Sequence, residues 1–311
     1  MGPVRIVLLL ILMVVAAMAD PAPAEPVAGE EPSVRVLDTG REPRRKLRLH
    51  PRPGDRQELS ISMALSLGMA FGDRPVSMRE LPGIILPFTV RVLEVRANGD
   101  IGTEFRCGKV EVLATPGTDP MMVDMMKAIC AGVEGVSGTS LVTARGITLR
   151  SSLSIPENMD PGAKVVLAGM GEAMGRTSFP LPEEAVGAGA KWQVTSRLPD
   201  DAGSAEQRAT WTLVSLEGDR FTVTSASAIR AGEGIIPTLA GQEPLRRRSL
   251  ESMASAVMMG DLSRVAPAET VLESSILERI EVKPNAVMTR RTAVRSRMAT
   301  VPETSVPAPG R

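Results

Sequence analysis

The feature that most constrains the fold is a strict alternation of side chains over residues 59–71. Leu, Ile, Met or Phe occupies every odd position, and Ser, Ala or Gly occupies every even one. Because successive side chains of a strand point to opposite sides, this period of two predicts one long β-strand with a single apolar face. Strands longer than the usual ~5–6 residues suit a strongly curved sheet.

A hairpin is predicted after this strand. The apolar positions of residues 88–95 change parity, which indicates a β-bulge, and Asn98-Gly99 is a preferred two-residue hairpin turn. The return strand is predicted over residues 101–112. The same reasoning predicts further strands over residues 141–155, 191–198, 207–216, 220–229, 247–258, 270–282 and 287–298.

Two helices are predicted, each beginning at an Asp-Pro pair. Asp119 supplies an N-cap and Pro120 the first helical position. Apolar residues then follow at the spacing of one helical face: Met122, Met125, Met126, Ile129, Cys130 and Val133. A second, weaker helix is expected after Asp160-Pro161. The expected fold class is α+β, a curved antiparallel sheet of about eight to ten strands, half-barrel-like, wrapped on one or two helices.

The amino terminus has the pattern of a secretory signal peptide. One basic residue, Arg5, precedes an uncharged apolar run over residues 6–15, and Ala17-Met18-Ala19 follows. This pattern predicts a signal peptide over residues 1–19, cleaved before Asp20. The run is shorter than the ~17–25 apolar residues that cross a bilayer, so we expect a soluble exported protein, periplasmic or extracellular.

The composition of the remaining chain predicts one domain between two disordered ends. Residues 20–40 are rich in Pro, Ala and Glu, and residues 301–311 are similar in character, so both are expected to be disordered. Residues 41–300 form the predicted single domain. Basic side chains cluster at residues 41–56 and 290–297 although Lys plus Arg and Asp plus Glu total 36 each. These clusters suit either a solvated face or contact with an anionic membrane surface or a protein partner.

The residue types argue against catalysis. The chain has one His, His50, which lies in a Pro-flanked basic stretch, and we expect it to be an exposed bystander. One His cannot form a His-ligated zinc site, and no phosphate-binding loop or Gly-flanked serine is present. Tyr is absent and aromatic residues are rare, which disfavours sugar and nucleic-acid binding. We therefore predict a protein that is not an enzyme and uses no cofactor or metal.

Cys107 and Cys130 are the only cysteines. Export to an oxidising compartment favours a disulfide between them. The alternative is two buried free thiols that do not meet.

The leading functional hypothesis is that the concave face of the sheet binds an apolar ligand, such as a lipid or acyl chain, or a protein partner. Soft, unbranched Met side chains suit such a surface. A structural module with a filled core is the alternative, Cu(I) binding by methionines is third, and an unrecognised hydrolase is last. The predicted ligand-binding residues are Leu59, Ile61, Met63, Leu65, Leu67, Met69, Met122, Met125, Met126 and Ile129.

A short motif carries a family resemblance. Residues 181–192 match the pattern LPExxVxxGxxW, and this region resembles a family of uncharacterised exported bacterial proteins with a domain of unknown function. The resemblance implies an exported β-rich domain whose architecture is similar to that of periplasmic lipoprotein carriers, and it implies no binding residue. Gly187 and Gly189 are expected to turn the chain into a strand that Trp192 anchors in the core.

The signal-peptide hypothesis predicts the start of the mature chain. When the full chain is expressed in a bacterial host, protein recovered outside the cytoplasm should have the intact mass of a chain that begins at Asp20. A recovered chain that retains residues 1–19 would contradict the hypothesis.

Overall fold

The computed structural model describes residues 31–72, 74–115, 117–154, 179–200, 203–236, 245–283 and 286–301. These residues form one 15-stranded sheet and one helix, α1, between β6 and β7. The elements are β1 (Ser33–Asp38), β2 (Arg56–Phe71), β3 (Ser77–Glu80), β4 (Gly83–Val95), β5 (Ile101–Cys107), β6 (Glu111–Leu113), α1 (Pro120–Cys130), β7 (Ser137–Val142), β8 (Thr148–Ser154), β9 (Lys191–Asp200), β10 (Gly203–Glu217), β11 (Arg220–Ala231), β12 (Gly234–Ile236), β13 (Leu245–Asp261), β14 (Glu269–Lys283) and β15 (Ala286–Thr300).

The predicted α+β class is wrong, because the described chain is nearly all antiparallel sheet. Hydrogen-bonded neighbours follow the order β1-β9-β10-β11-β13-β14-β15-β2-β4-β5-β7-β8, with β3, β6 and β12 beside β2, β4 and β13. The sheet is therefore not wrapped on helices. The predicted strand number was too low as well, since strands as short as β3, β6 and β12 carry too few residues to show a period of two.

The long alternating strand is confirmed as β2, which lies in the interior of the sheet between β15 and β4. Leu65 is opposite Val294 across the β2–β15 pair, so the odd residues of β2 share a face with the even residues of β15. We call this the inner face. It is the less exposed side of β13, β14, β15 and β2.

Most of the strand predictions are confirmed, and two are corrected. The six predictions after residue 190 correspond to β9, β10, β11, β13, β14 and β15. The β4–β5 hairpin has the predicted bulge, between Val92 and Glu94. Its loop is longer than the predicted two-residue turn, because β4 ends at Val95, β5 begins at Ile101 and the Arg96 N–H donates to the Asp100 carbonyl at 2.8 Å. The strand predicted over residues 101–112 ends at Cys107. The strand predicted over residues 141–155 is the hairpin β7–β8, because Gly146 turns the chain at a φ of 74°.

Helix α1 forms where the Asp119-Pro120 pair predicted it. The Asp119 carboxylate accepts a hydrogen bond from the Met121 backbone N–H at 2.9 Å, and Val123, Met126 and Cys130 are the buried residues of the helix. The second predicted helix, after Asp160-Pro161, lies outside the described residues. Within the ranges that the structure describes, no helix is long and apolar enough to cross a membrane.

The structure corrects one boundary of the predicted disordered leader. Residues 33–38, which the composition assigned to the leader, form β1 and pair with β9 from Ser33 opposite Thr195 to Asp38 opposite Lys191. Alternating Val34 and Val36 supply this strand with its apolar side, and both pack on the core. The signal peptide and the rest of the leader lie outside the described residues, as do residues 302–311.

One end of the inner face is a filled core, which we call the end cluster. It joins Val92 and Ile101 of β4 and β5 to Trp192, Leu213 and Val223 of β9, β10 and β11. These two groups of strands lie in opposite halves of the strand order, so the sheet must bend toward the inner face to bring them together. Leu47, Leu49 and Leu181 from the connecting segments complete the packing.

The LPExxVxxGxxW motif builds the entry to β9, as expected. Trp192 is 0% exposed, and its indole Nε1 donates to the Pro180 carbonyl at 2.9 Å. Gly189 has a φ of 88°, a conformation that suits glycine. A Cβ at Gly187 would lie 1.9 Å from the Arg41 carbonyl oxygen, so only glycine allows this close approach.

A Gly187→Ala substitution should therefore destabilise the protein strongly. The added methyl group forces the segment around Arg41 to move, which we expect to cost about 2 kcal/mol or more. Such a loss corresponds to a Tm decrease of roughly 4–8 °C in a domain of this size, measured by thermal melting. Gly232→Ala is the matched control, because a Cβ at Gly232 has no neighbour within 4 Å. Equal melting temperatures for the two variants would contradict the assigned role.

Candidate ligand-binding site

The predicted site residues of β2 all lie on the inner face, but they are not equally buried. Leu59, next to the end cluster, is 1% exposed. Ile61, Met63, Leu65, Leu67 and Met69 are only half-buried, although β2 has strands on both sides. An apolar residue in the middle of a sheet normally lies against a covering layer.

The half-buried surface continues across three neighbouring strands. Leu65 is followed in register by Val294, Ser274 and Ala254 on β15, β14 and β13. Two more rows, which begin at Met63 and Ile61 on the end-cluster side of Leu65, cross β15, β14 and β13 in the same way. We call these three rows the inner trough, and all of its residues are half-buried: Ile61, Met298, Thr270 and Met258; Met63, Ser296, Leu272 and Ala256; Leu65, Val294, Ser274 and Ala254.

The helical part of the predicted site lies beside the strand part and packs on β4, where Ile84 is directly opposite Met63 of β2. Met126 and Cys130 of α1 are buried in a cluster with Ile84 of β4, Val110 and Val112, and the half-buried Met122, Met125 and Ile129 belong to the same cluster. The residues of α1 that were predicted to share a site with β2 are therefore used mainly in packing on β4 and β6, through the apolar stripe of the helix.

Cys107 and Cys130 do not form the predicted disulfide. Both are free and buried, and they belong to different clusters, Cys107 with Phe105 and Val136 and Cys130 with Met126. Burial raises the pKa of both thiols. Export was the sole basis for predicting a bridge, and the packing assigns the two side chains to separate parts of the core.

The methionines that could bind Cu(I), on α1 and at Met258-Met259, do not form one accessible group. Met258 and Met259 are adjacent residues of a strand and therefore point to opposite faces of β13, and Met126 is buried among apolar side chains. In the described part of the chain, no three His, Cys, Asp or Glu side chains converge on a possible metal position.

His50 is exposed, as predicted, but it has a partner that the sequence did not reveal. Its Nε2 lies 3.2 Å from Asp219 Oδ2, and Arg45 Nη1 donates to Asp219 Oδ1 at 3.1 Å. The His50 backbone N–H also donates to the Leu262 carbonyl at 2.7 Å. These contacts tie the segment before β2 to the β10–β11 turn, so His50 helps to hold the end cluster together.

A cleft of about 1140 Å³ lies at the end-cluster end of the sheet, and its lining includes none of the predicted site residues. Asp261 in its wall accepts a hydrogen bond from the Ser263 hydroxyl at 2.6 Å, and this bond holds the pKa of the Asp261 carboxyl below its usual range. The charges of the lining balance, so the cleft presents no net charge to a ligand. Its charged residues are Arg56, Arg220, Arg264, Glu58, Glu217 and Asp261.

A buried ion pair lies on the inner face beyond the trough. Glu278 of β14 and Arg290 of β15 are directly opposite each other and are 2% and 1% exposed. Arg290 Nε donates to Glu278 Oε2 at 2.6 Å, and Nη2 donates to the same oxygen. Sequence reasoning treated Arg290 as part of a basic surface cluster. The parity of the alternation could have placed it inside, because it shares the face of Thr292 and Val294.

The comparisons with known proteins do not extend these observations. No protein-family model and no curated protein matches the sequence. The resemblance to the LPExxVxxGxxW family therefore stays a prediction.

Glu183 of the motif lies among three basic side chains, and we expect this cluster to make the stability of the protein depend on pH. Its carboxylate lies 2.8 Å from Arg48, 3.5 Å from Arg145 and 3.4 Å from Lys46. The positive charge of Arg48, with a smaller contribution from the other two, holds the pKa of Glu183 below its usual value. A carboxylate whose pKa is lowered by folding stabilises the protein above its unfolded pKa and loses this effect as the pH falls through the folded pKa.

Glu183→Gln should therefore lower Tm at neutral pH and match the wild type in strongly acidic solution, below the folded pKa of Glu183. Melting curves from pH 7 down to about pH 2 measure this difference. Glu184→Gln, at the adjacent exposed position, is the control. A Glu183→Gln effect that stays constant with pH would contradict the ion cluster.

Proposed function

We propose that the protein is a non-catalytic binding protein of the cell envelope and that its inner trough holds an apolar chain, such as the acyl chain of a lipid. The observation that carries the proposal is the half-buried state of the trough. At the end cluster the same face is sealed by large side chains such as Trp192 and Leu213. Among the described residues, the large side chains of the trough other than Met258 belong to no packed cluster of the core, and a ligand would cover their apolar surface.

The side chains of the trough support an unbranched apolar ligand. Leu, Ile, Val and Met alternate with Ser and Ala across the strands, so the surface is apolar and has shallow positions beside the small residues. Flexible Met63 and Met298 can adjust to chains of different shape. Pockets for small molecules are typically apolar with few polar groups, and the trough has this character.

The exported location is part of the same proposal. It is supported by the signal-peptide pattern of residues 1–19. A module whose core is filled throughout would account for the end cluster but not for the half-buried apolar surface of the trough. If that alternative holds, the wild type should bind no apolar probe in the experiment below.

A substitution in the trough should weaken the binding of an apolar probe. Nile red or a fluorescent fatty acid should bind the wild type, and Leu65→Gln should weaken this binding about tenfold, because burial of a Leu side chain is worth roughly 1.5–3 kcal/mol. Ala64→Gln on the outer face of the same strand is the control and should bind as the wild type does. Melting curves establish that both variants are folded. No uptake by the wild type, or equal affinities of the two variants, would overturn the proposal.

A further inference from the structure

The buried pair Glu278–Arg290 leaves one hydrogen-bond donor without a partner. Arg290 uses Nε and Nη2 on a single oxygen of Glu278, and its Nη1 is buried with no hydrogen-bond acceptor. A buried donor without an acceptor is costly, by about 1–3 kcal/mol and more for a charged group. Native proteins seldom keep such a group, so the unpaired N–H indicates an acceptor that the described residues do not supply.

The unpaired donor lies in line with the inner trough. On β15 the trough contains Val294, and Arg290 follows on the same face after Thr292. Arg290 and Met298, at the far end of the trough, are eight residues apart, which corresponds to about 26 Å along a strand. Thr292 and Ile276, which form the row between the trough and Arg290, are 3% and 8% exposed. A chain lying along β15 therefore brings its head group to Arg290 only when the side chains over this row move aside. Met69, directly opposite Arg290 on β2, is half-buried, and its flexible side chain can move to admit that group.

The charge of the pair selects the kind of head group. Glu278 already neutralises Arg290, so a second carboxylate would bury an uncompensated negative charge, which is strongly unfavourable. A neutral carbonyl oxygen accepts the free N–H and adds no charge. We infer that the ligand of the trough is an acyl chain joined through an ester or amide, and that Arg290 Nη1 donates to its carbonyl oxygen. This inference rests on the proposed function of the trough.

Competition for Nile red on the full mature chain tests the inference. Methyl palmitate and palmitamide should displace the probe at concentrations at least about tenfold lower than palmitate or hexadecane, since a hydrogen bond from a charged donor is worth that factor or more. The relative strength of methyl palmitate and palmitamide distinguishes an ester from an amide ligand.

Variants of two ion pairs on the same two strands provide the control. In Glu278→Leu/Arg290→Met, methyl palmitate and palmitamide should displace the probe at about the same concentrations as palmitate and hexadecane. The variant should fold, because an apolar replacement of a buried ion pair is commonly tolerated. Glu273→Leu/Arg295→Met removes an exposed pair of the same strands and should keep the wild-type preference. If the first variant does not fold, Arg290→Lys retains a positive charge beside Glu278 without the free Nη1 and should also lose the preference.

Each result separates the two proposals. Equal competition by all four compounds means that Nη1 holds an enclosed water only, which overturns the inference and leaves the apolar trough standing. Stronger competition by palmitate, or a preference that persists without Arg290, also overturns it. If none of the compounds displaces Nile red, or if Nile red does not bind, the proposed function fails and the inference fails with it.

Discussion

The fold depends on the packing of Trp192 in the end cluster. Its indole is fully buried and bonded to the Pro180 carbonyl, and around it the β4–β5 flank meets the β9–β11 flank. A Trp side chain buries about 150–250 Å², worth about 4–6 kcal/mol at ~25 cal/mol per Å². That is a large share of the ~5–15 kcal/mol that stabilises a typical domain. This packing bends the sheet toward its inner face, and the bend makes the middle strands a trough.

The trough stays half-exposed because of the size of its side chains. Ser274, Ser296, Ala254 and Ala256 stand where a filled core would have Leu or Ile, and small residues leave volume above the sheet. The end cluster, on the same face, uses Trp, Leu, Val and Phe, and its core residues are at most 9% exposed. One face is therefore packed in two ways. Large residues fill it at one end, and small residues leave space over its middle strands. A fold of this kind does not by itself imply a function, so the proposal depends on this contrast in side-chain size.

Local patterns in the sequence predicted the local structure well. The alternation over residues 59–71, the six later strands, the bulged hairpin around Asn98-Gly99 and the start of α1 at Asp119-Pro120 follow from short-range rules of strand period, turn and capping. The fold class and the position of α1 could not be predicted in this way, because they depend on which distant strands pair. The inner face of β2 was predicted correctly, whereas its partners on β13, β14 and β15 and the burial of Arg290 required the register.

The central claim is that the trough holds an apolar chain in the protein as the cell makes it. Native mass spectrometry of the exported chain, purified without detergent, measures this most directly. We expect a mass above that of the polypeptide, and the excess should be lost on organic extraction and recovered as an acyl-containing compound. A single species at the polypeptide mass, from cells and after incubation with lipid extract, would contradict the account.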